Sequence, residues 1–371
     1  MITKRNLFRF IALAGCSAII VAFCYSLGKP KNFKDLLSAD DSVRNAAREK
    51  LEKSPPEEVG RALLLWLKAK QEVNLELIAL AQKLDCGHFP RRDLFSTMGK
   101  LLATHAESEV LQGIELFPAG NEREVFVINL IANLSGDRGL KLLENNPKSF
   151  FENELPLLSN IASSRLQITS LEDVRTALTK YTAPFQRKSL IENLGIHASK
   201  FLDIEKLASL KLDDLSISEM KTFLSNVLAA KVSQDRDAVL HALKNGALAD
   251  LDLEVASPAV RIMFETSLST GTKWAEQAYA DLPREYQDEA AAALAFQWFY
   301  KDAKRASAWI KQLPQGSAKD WAIRMVVPLL VSNHDVDGAK AWVEAVSTED
   351  LRSRLFKQIE SQIREGQALG S

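Results

Sequence analysis

The chain has few cysteines and no excess of charge of one sign. Only Cys16, Cys24 and Cys86 occur among 371 residues. The first two lie in an apolar N-terminal segment, so no disulfide can form within the remainder of the chain. Lysine plus arginine (47) nearly equal aspartate plus glutamate (48), which gives a formal net charge of -1. A nucleic-acid partner is therefore disfavoured. The short basic clusters at 91–92 and 352–357 are predicted to lie on solvated helix faces.

Strand patterns and catalytic motifs are missing as well. No run of alternating β-branched residues lies between hairpin turns, and only 16 residues are glycine. These absences exclude the sheet-based nucleotide-binding and hydrolase folds. Gly99-Lys100 lacks the first glycine and the hydroxyl residue of a phosphate-binding loop, and no Gly-x-Ser-x-Gly or His-Glu-x-x-His pattern occurs. We predict an all-α protein with no catalytic, cofactor-binding or metal-binding residues.

A few residues could carry chemistry in isolation. Cys86 and His88 could form half of a metal site or a thiol with its base, but no second cysteine or histidine lies at ligand spacing. We interpret them as a turn between helices. His241 is predicted to pack between helix layers, and His334 to lie in a turn.

A short phrase recurs near the C-terminus. Ala306-x-x-Trp309-x-x-x-Leu313 is echoed from Ala275 and from Ala339, at steps of 31 and 33 residues. Its apolar positions, at i, i+3, i+4 and i+7, fall on one face of an α-helix, which predicts a repeated helix pair most regular over 271–360. The predicted repeat core is Ala275, Tyr279, Leu282, Ala306, Trp309, Leu313, Ala339 and Trp342.

The same columns can be laid upstream with a weaker fit, starting at Val110, Gly139, Val174, Ile204 and Ala238. Two architectures are compatible with this pattern. One is a continuous right-handed α-solenoid of about eight to ten antiparallel helix pairs over 34–365. The other is an irregular all-helical domain whose C-terminal third is repetitive. We favour the solenoid.

Residues 10–27 form a run of eighteen residues without a charge, preceded by three basic residues. As a helix they would span about 27 Å, close to a bilayer core. We predict that 1–28 is a single-pass membrane anchor with the body outside the cytoplasm. Lipidation at Cys16 and cleavage near Gly28 are alternatives. A linker is predicted at 29–33 and a flexible tail at 366–371.

The repeated phrase resembles α-solenoid repeats of the HEAT and tetratricopeptide type. So does the segment from Asp40 to Leu51, which has an acidic turn followed by Val43-Arg44 and the pair Ala46-Ala47. The phrase is also similar to Ala-x-x-Trp-x-x-x-Leu-Pro repeats of planctomycete and verrucomicrobial bacteria. The resemblance implies a binding scaffold without chemistry of its own. The chain lacks the Trp-x-x-Leu-Gly-x-x-Tyr run, so the peptide-carboxylate clamp of tetratricopeptide proteins is not carried over.

These observations predict a membrane-tethered scaffold of the bacterial envelope that binds another protein or a peptide. Trp274 and Trp321, near helix starts, are the predicted partner-binding residues. The alternatives are an envelope hydrolase or lyase on a helical toroid, and a structural spacer in an envelope assembly. An enzyme would need a deep pocket with convergent acidic or histidine side chains, whereas a scaffold needs a shallow groove.

Overall fold

The computed structural model describes residues 42, 55–83, 85–86, 88–266 and 272–369. Throughout these residues, all regular secondary structure is helical, which confirms the predicted all-α class. The chain divides into two compact units, Met1–Gln167 and Ile168–Ser371.

Unit 1 contains a first helix followed by pairs of helices. In each pair, a leading helix precedes a following helix. The helices of unit 1 are α1 (Pro56–Lys70), α2 (Leu75–Lys83), α3 (His88–Leu102), α4 (Glu107–Glu115), α5 (Asn121–Asn133), α6 (Gly136–Asn145), the short 3-10 helix η1 (Pro147–Ser149) and α7 (Leu155–Ser163). The leading helices are α2, α4 and α6, and the following helices are α3, α5 and α7. The first helix, α1, packs against α3, which packs against α5, which packs against α7, while α2 packs against α4.

Unit 2 continues the alternation. Its helices are α8 (Leu171–Lys180), α9 (Pro184–Ala198), the 3-10 helix η2 (Ile204–Ser209), α10 (Ile217–Gln234), α11 (Arg236–Lys244), α12 (Leu253–Glu265), α13 (Thr272–Asp281), α14 (Arg284–Lys301), α15 (Ala303–Gln312), α16 (Ser317–Ser332), α17 (Val336–Glu344) and α18 (Glu349–Leu369). The following helices again pack in series, from α9 through α10, α12, α14 and α16 to α18.

The repeated phrase lies on the leading helices. Its three clearest copies fall on α13, α15 and α17, and its weaker upstream copies fall on α4, α6, α8, η2 and α11. Several leading helices begin at a side-chain cap that accepts a backbone N–H of the first turn, which satisfies one otherwise unpaired donor. These caps are Ser135, Ser170, Asp235, Asp302 and Asp335.

The predicted membrane anchor is not supported and is corrected here. In the described part of the chain, no helix is long and apolar enough to cross a membrane. Helix α18, with 21 residues, is long enough to span a bilayer, but charged residues recur along it at nearly every turn. Several predictions fall outside the described residues. They are the apolar segment 10–27, the alternatives at Cys16 and Gly28, the linker 29–33 and all of the HEAT-like segment except Ser42. Helix α18 extends to Leu369 and so includes part of the predicted tail.

Arg123 joins neighbouring elements of unit 1 at the start of α5. Only 4% of the residue is exposed. Its guanidinium donates to the carbonyls of Ile114 (2.9 Å) and Phe117 (3.2 Å) at the end of α4, and to the carbonyl of Ser149 (2.8 Å). It also pairs with the Glu154 carboxylate at 3.2 Å. A single side chain thus donates to backbone carbonyls at the end of one leading helix and pairs with a carboxylate of the next helix pair.

Equivalent contacts recur at other pairs. Arg91 donates to the Gln82 carbonyl and forms an ion pair with Glu122. Arg187 donates to the Leu178 carbonyl and forms an ion pair with Glu219. In the C-terminal pairs, Gln287, Lys319 and Arg352 donate to the carbonyls of Leu282, Leu313 and Val346, the last apolar positions of the three phrases. The start of a following helix therefore repeatedly binds the end of its leading helix. Arg91 and Arg352 do not lie free on solvated faces as predicted, whereas Arg92 is exposed.

Small residues allow the following helices to approach closely. A Cβ atom on Gly99 of α3 would lie 2.4 Å from the Phe126 carbonyl oxygen of α5, and one on Gly195 of α9 would lie 2.6 Å from the Phe223 oxygen of α10. Such distances exclude any larger side chain unless the helices move apart. Helix α14 packs between α12 and α16, and it carries the buried alanines 290–293, whose small side chains allow this close packing.

Candidate functional site

An apolar groove of about 450 Å³ lies in unit 2, where the segment before α10 faces the turn before α12. We call it the 210–255 groove. Its floor is the buried side chains of Leu212, Leu224 and Val255. Its rim consists of the partly or fully exposed side chains of Leu210, Leu215, Ile217, Met220 and Leu251.

The first wall is fixed by the way α10 begins. The Ser216 hydroxyl accepts from the Glu219 amide (3.3 Å), and the Glu219 carboxylate accepts from the Ser216 amide (2.9 Å), forming a capping box. Leu215 and Met220 occupy the two positions of a hydrophobic staple around this box. Ile217, the first helical residue, is left 81% exposed at the rim. The cap thus holds an apolar side chain in water.

The second wall is a compact turn before α12. The Leu251 amide donates to the Leu248 carbonyl at 3.0 Å, and Leu248 itself is buried. Asp252 accepts from the Glu254 amide as the helix cap and also pairs with Lys221 of α10 at 2.5 Å. Hydrogen bonding to Lys221 lowers the pKa of Asp252, and hydrogen bonding to Asp252 and Glu254 raises the pKa of Lys221. This ion pair ties the two walls together.

The groove has an excess of acidic groups at its edges. Asp213 and Asp250 line it, one on each wall, and Asp214 is the next residue along the first wall. All three are exposed, and within the described part of the chain their carboxylates form no hydrogen bond or ion pair. Lys211 is the one lining cation outside the Lys221 pair. The unpaired carboxylates at the edges therefore outnumber the one lining cation that remains to balance them.

The pKa values of several described carboxyl groups are lowered by the hydrogen bonds and ion pairs that hold the helices. The Arg187 hydrogen bond, helped by Ser216, lowers the pKa of Glu219 to about 2. Asp173, Asp252 and Asp281 also have lowered pKa values, caused mainly by a cap contact or by a lysine. Every shifted carboxyl pKa in this part of the chain moves down, away from the values that suit a general acid or base near neutral pH. The described residues contain no group of three or more histidine, cysteine, aspartate or glutamate side chains that could hold a metal ion.

A second, wider cleft of about 1100 Å³ lies in unit 1 between the starts of α3 and α5. Its walls mix charges of both signs. Arg91 and Glu122, which line it, pair with each other. Cys86 lies buried in the connection before α3, and burial raises the pKa of its thiol. The thiol is therefore protonated at neutral pH, which makes it a poor nucleophile.

The two predicted partner-binding tryptophans do not line the groove. Trp321 is 38% exposed, with the Arg324 guanidinium 4.8 Å from its ring centre. Trp274 is half-buried; its indole N–H donates to Asp237 at 3.0 Å, and Arg236 lies 3.6 Å from its ring centre. Trp274 is thus engaged within unit 2, and Trp321 is the more accessible of the two.

The predicted repeat core is largely enclosed. Trp309 is half-buried, with ring-centre distances of 5.4 Å to Tyr279 and 5.1 Å to the buried Trp298, both edge-to-face. Trp342 is also half-buried, with Lys311 5.8 Å from its ring centre. His241 is exposed, so the prediction that it packs between layers is wrong. The remaining members, Ala275, Tyr279, Leu282, Ala306, Leu313 and Ala339, are buried.

Sequence reasoning missed the groove because its rim is formed by connections and by the first turn of α10 rather than by the long apolar faces of helices. One signal was available. Leu210, Leu212, Leu215 and Ile217 are apolar residues clustered around an acidic pair in a segment between two helices.

No protein-family model, no curated protein and no solved structure matches this chain.

Proposed function

We propose that the helix pairs of each unit stack as a right-handed α-solenoid and that the protein is an interaction scaffold that binds another protein or a peptide. The observation that carries the proposal is the 210–255 groove. Its apolar rim, with Ile217 81% exposed, lies where two successive pairs begin their following helices. Contiguous apolar surface of this kind is typical of binding sites, whereas isolated apolar residues on a surface are ordinary.

The serial packing of the following helices supports the solenoid part of the proposal. A helix pair cannot bury its apolar face alone, so pairs that pack in series share one continuous core and leave their connections free to form surfaces.

The test is affinity purification with the purified full chain from a lysate of its native host, followed by reconstitution of each captured protein by biolayer interferometry. We expect at least one partner to bind saturably with fixed stoichiometry. An unrelated protein immobilised at the same density serves as the control for non-specific capture.

Two outcomes would contradict the scaffold. If no protein binds after reconstitution but a small molecule from the same extract raises the melting temperature, an enzyme becomes the better interpretation. If neither binds and the chain forms a large homo-oligomer through flat surfaces, a structural spacer does.

A further inference from the structure

The 210–255 groove has features that specify the chemistry of its occupant. We infer that it binds a short peptide segment that presents bulky apolar side chains on one face, flanked by lysine or arginine. This inference rests on the proposed scaffold function and adds the partner class and the place of binding.

The apolar half of the inference follows from the rim. Ile217, Leu215 and Met220 are held around the capping box of α10, so they cannot withdraw into the core without undoing the helix start. Burying a large aliphatic side chain that is otherwise in water is favourable, because apolar surface is removed from the solvent. The volume, about 450 Å³, lies within the range of about 300–1,000 Å³ found for ligand pockets. It suits a few side chains of one segment better than a broad protein surface.

The basic half of the inference follows from the edges. Asp213 and Asp250 lie on opposite walls, with Asp214 beside the first, and only Lys211 remains to balance them. Lys221 is already bonded to Asp252 and Glu254. A cationic side chain at either end of an apolar segment would gain attraction at both walls, and an acidic segment would be repelled.

The groove is also preformed. Its walls are fixed by the capping box, by the Leu251–Leu248 hydrogen bond and by the Lys221–Asp252 pair. A rigid site loses little conformational freedom on binding, so even a small contact area can select its ligand.

The test uses three fluorescein-labelled synthetic peptides with the full chain. The first carries leucine at i, i+3, i+4 and i+7 with flanking lysines, which is the anchor pattern of a helix that lies in a groove. The second has glutamate in place of each lysine, and the third has serine in place of each leucine. Fluorescence anisotropy is expected to show saturable binding of the first peptide, at least about tenfold tighter than either of the others.

Variants locate the site. Ile217→Ser is expected to weaken the first peptide about tenfold, and the double change Asp213→Asn and Asp250→Asn to weaken it several-fold and reduce its salt dependence. The matched controls are Ile196→Ser, a 44% exposed isoleucine of α9 outside the groove, and Asp337→Asn, an exposed carboxylate of α17. Neither control should change binding. Circular dichroism would establish that each variant folds.

The inference is overturned if the first peptide does not bind, if the glutamate peptide binds equally well, or if Ile217→Ser and Ile196→Ser behave alike. It is also overturned if the chain self-associates and Ile217→Ser abolishes that association, because the occupant is then a second copy. A captured host protein that binds wild type and Ile217→Ser equally would retain the scaffold function and reject this groove as its site.

Discussion

Between residues 88 and 219, arginines join neighbouring helix pairs, whereas between 272 and 347 aromatic and alanine contacts take a larger part. Arg123 reaches four groups in unit 1, while Tyr279, Trp298 and Trp309 form a chain of edge-to-face contacts in unit 2. Both regions leave carbonyls at the ends of leading helices that need donors. The donor is an arginine in the first region and Gln287 or Lys319 in the second, while an arginine, Arg352, donates again just beyond it. The same packing requirement is therefore met by different side chains.

The largest effect is expected at Arg123. Arg123→Met would remove the guanidinium from three backbone carbonyls and from the Glu154 carboxylate, and loss of one partner of a buried pair costs about 3–5 kcal/mol. Urea unfolding followed by circular dichroism would measure it. The control is Arg92→Met on an exposed arginine, expected to stay within about 0.5 kcal/mol. Equal losses in both variants would remove the distinction between linking and surface arginines.

The aromatic region is tested next by Trp309→Ala. Removal of a half-buried indole that contacts Tyr279 and Trp298 is expected to destabilise the protein by about 2–4 kcal/mol, somewhat less than for a fully buried aromatic. Trp321→Ala, on an exposed tryptophan, serves as the control with a change of about 0.5 kcal/mol or less. If Trp321→Ala cost as much in the same unfolding experiment, the contrast between the two tryptophans would be wrong.

A smaller effect is expected where helices touch through glycine. Gly99→Ala would bring a Cβ atom to 2.4 Å from the Phe126 oxygen and push α3 and α5 apart, at about 1–3 kcal/mol. In the control, Gly139→Ala, the nearest atom to the added Cβ is the Ala162 Cβ at 3.0 Å, and the better helix propensity of alanine offsets that contact. Thermal unfolding would compare them. A stabilised Gly99→Ala variant would show that the helices do not approach so closely.

The smallest effect concerns acid stability. Because Arg187 lowers the pKa of Glu219 to about 2 from 4.5, its contribution is complete above pH 4.5 and is lost as the pH falls toward 2. Solvent screening limits it to about 1–2 kcal/mol. Glu219→Gln should lower stability at neutral pH and flatten the loss between pH 4.5 and 2, measured by urea unfolding across that range. Glu172→Gln, on a 79% exposed side chain, is the control and should change the stability at neutral pH by about 0.5 kcal/mol or less. An unchanged profile in Glu219→Gln would mean that the Arg187 pair does not stabilise the fold.

The all-α class followed from the sequence because apolar residues at helical spacing are a local signal. The columns that begin at Ala275, Ala306 and Ala339 are periodic and fall on buried helix faces. The arginine links were missed because a charged residue at a helix start looks solvated until its partner is known, and Glu154 lies 31 residues beyond Arg123. Arg91 and Arg123 are themselves 32 residues apart, so a period search on charged residues would have found them.

The groove could not be predicted from the sequence, because its two walls come from segments that meet only in the folded structure. Ile217 and Leu251 come together only because α10 and α12 pack side by side, and no spacing along one segment predicts that pairing. Trp321, by contrast, was singled out from a helix start alone. Whether it contacts a partner stays a prediction.

The hydrogen bond from the start of a following helix to the end of its leading helix has a consequence for how such a chain can change in length. Phe117 and Arg123, Leu313 and Lys319, and Val346 and Arg352 are each separated by six residues. An inserted or deleted residue within one of these connections would misplace the donor, so we expect them to keep a constant length among natural variants.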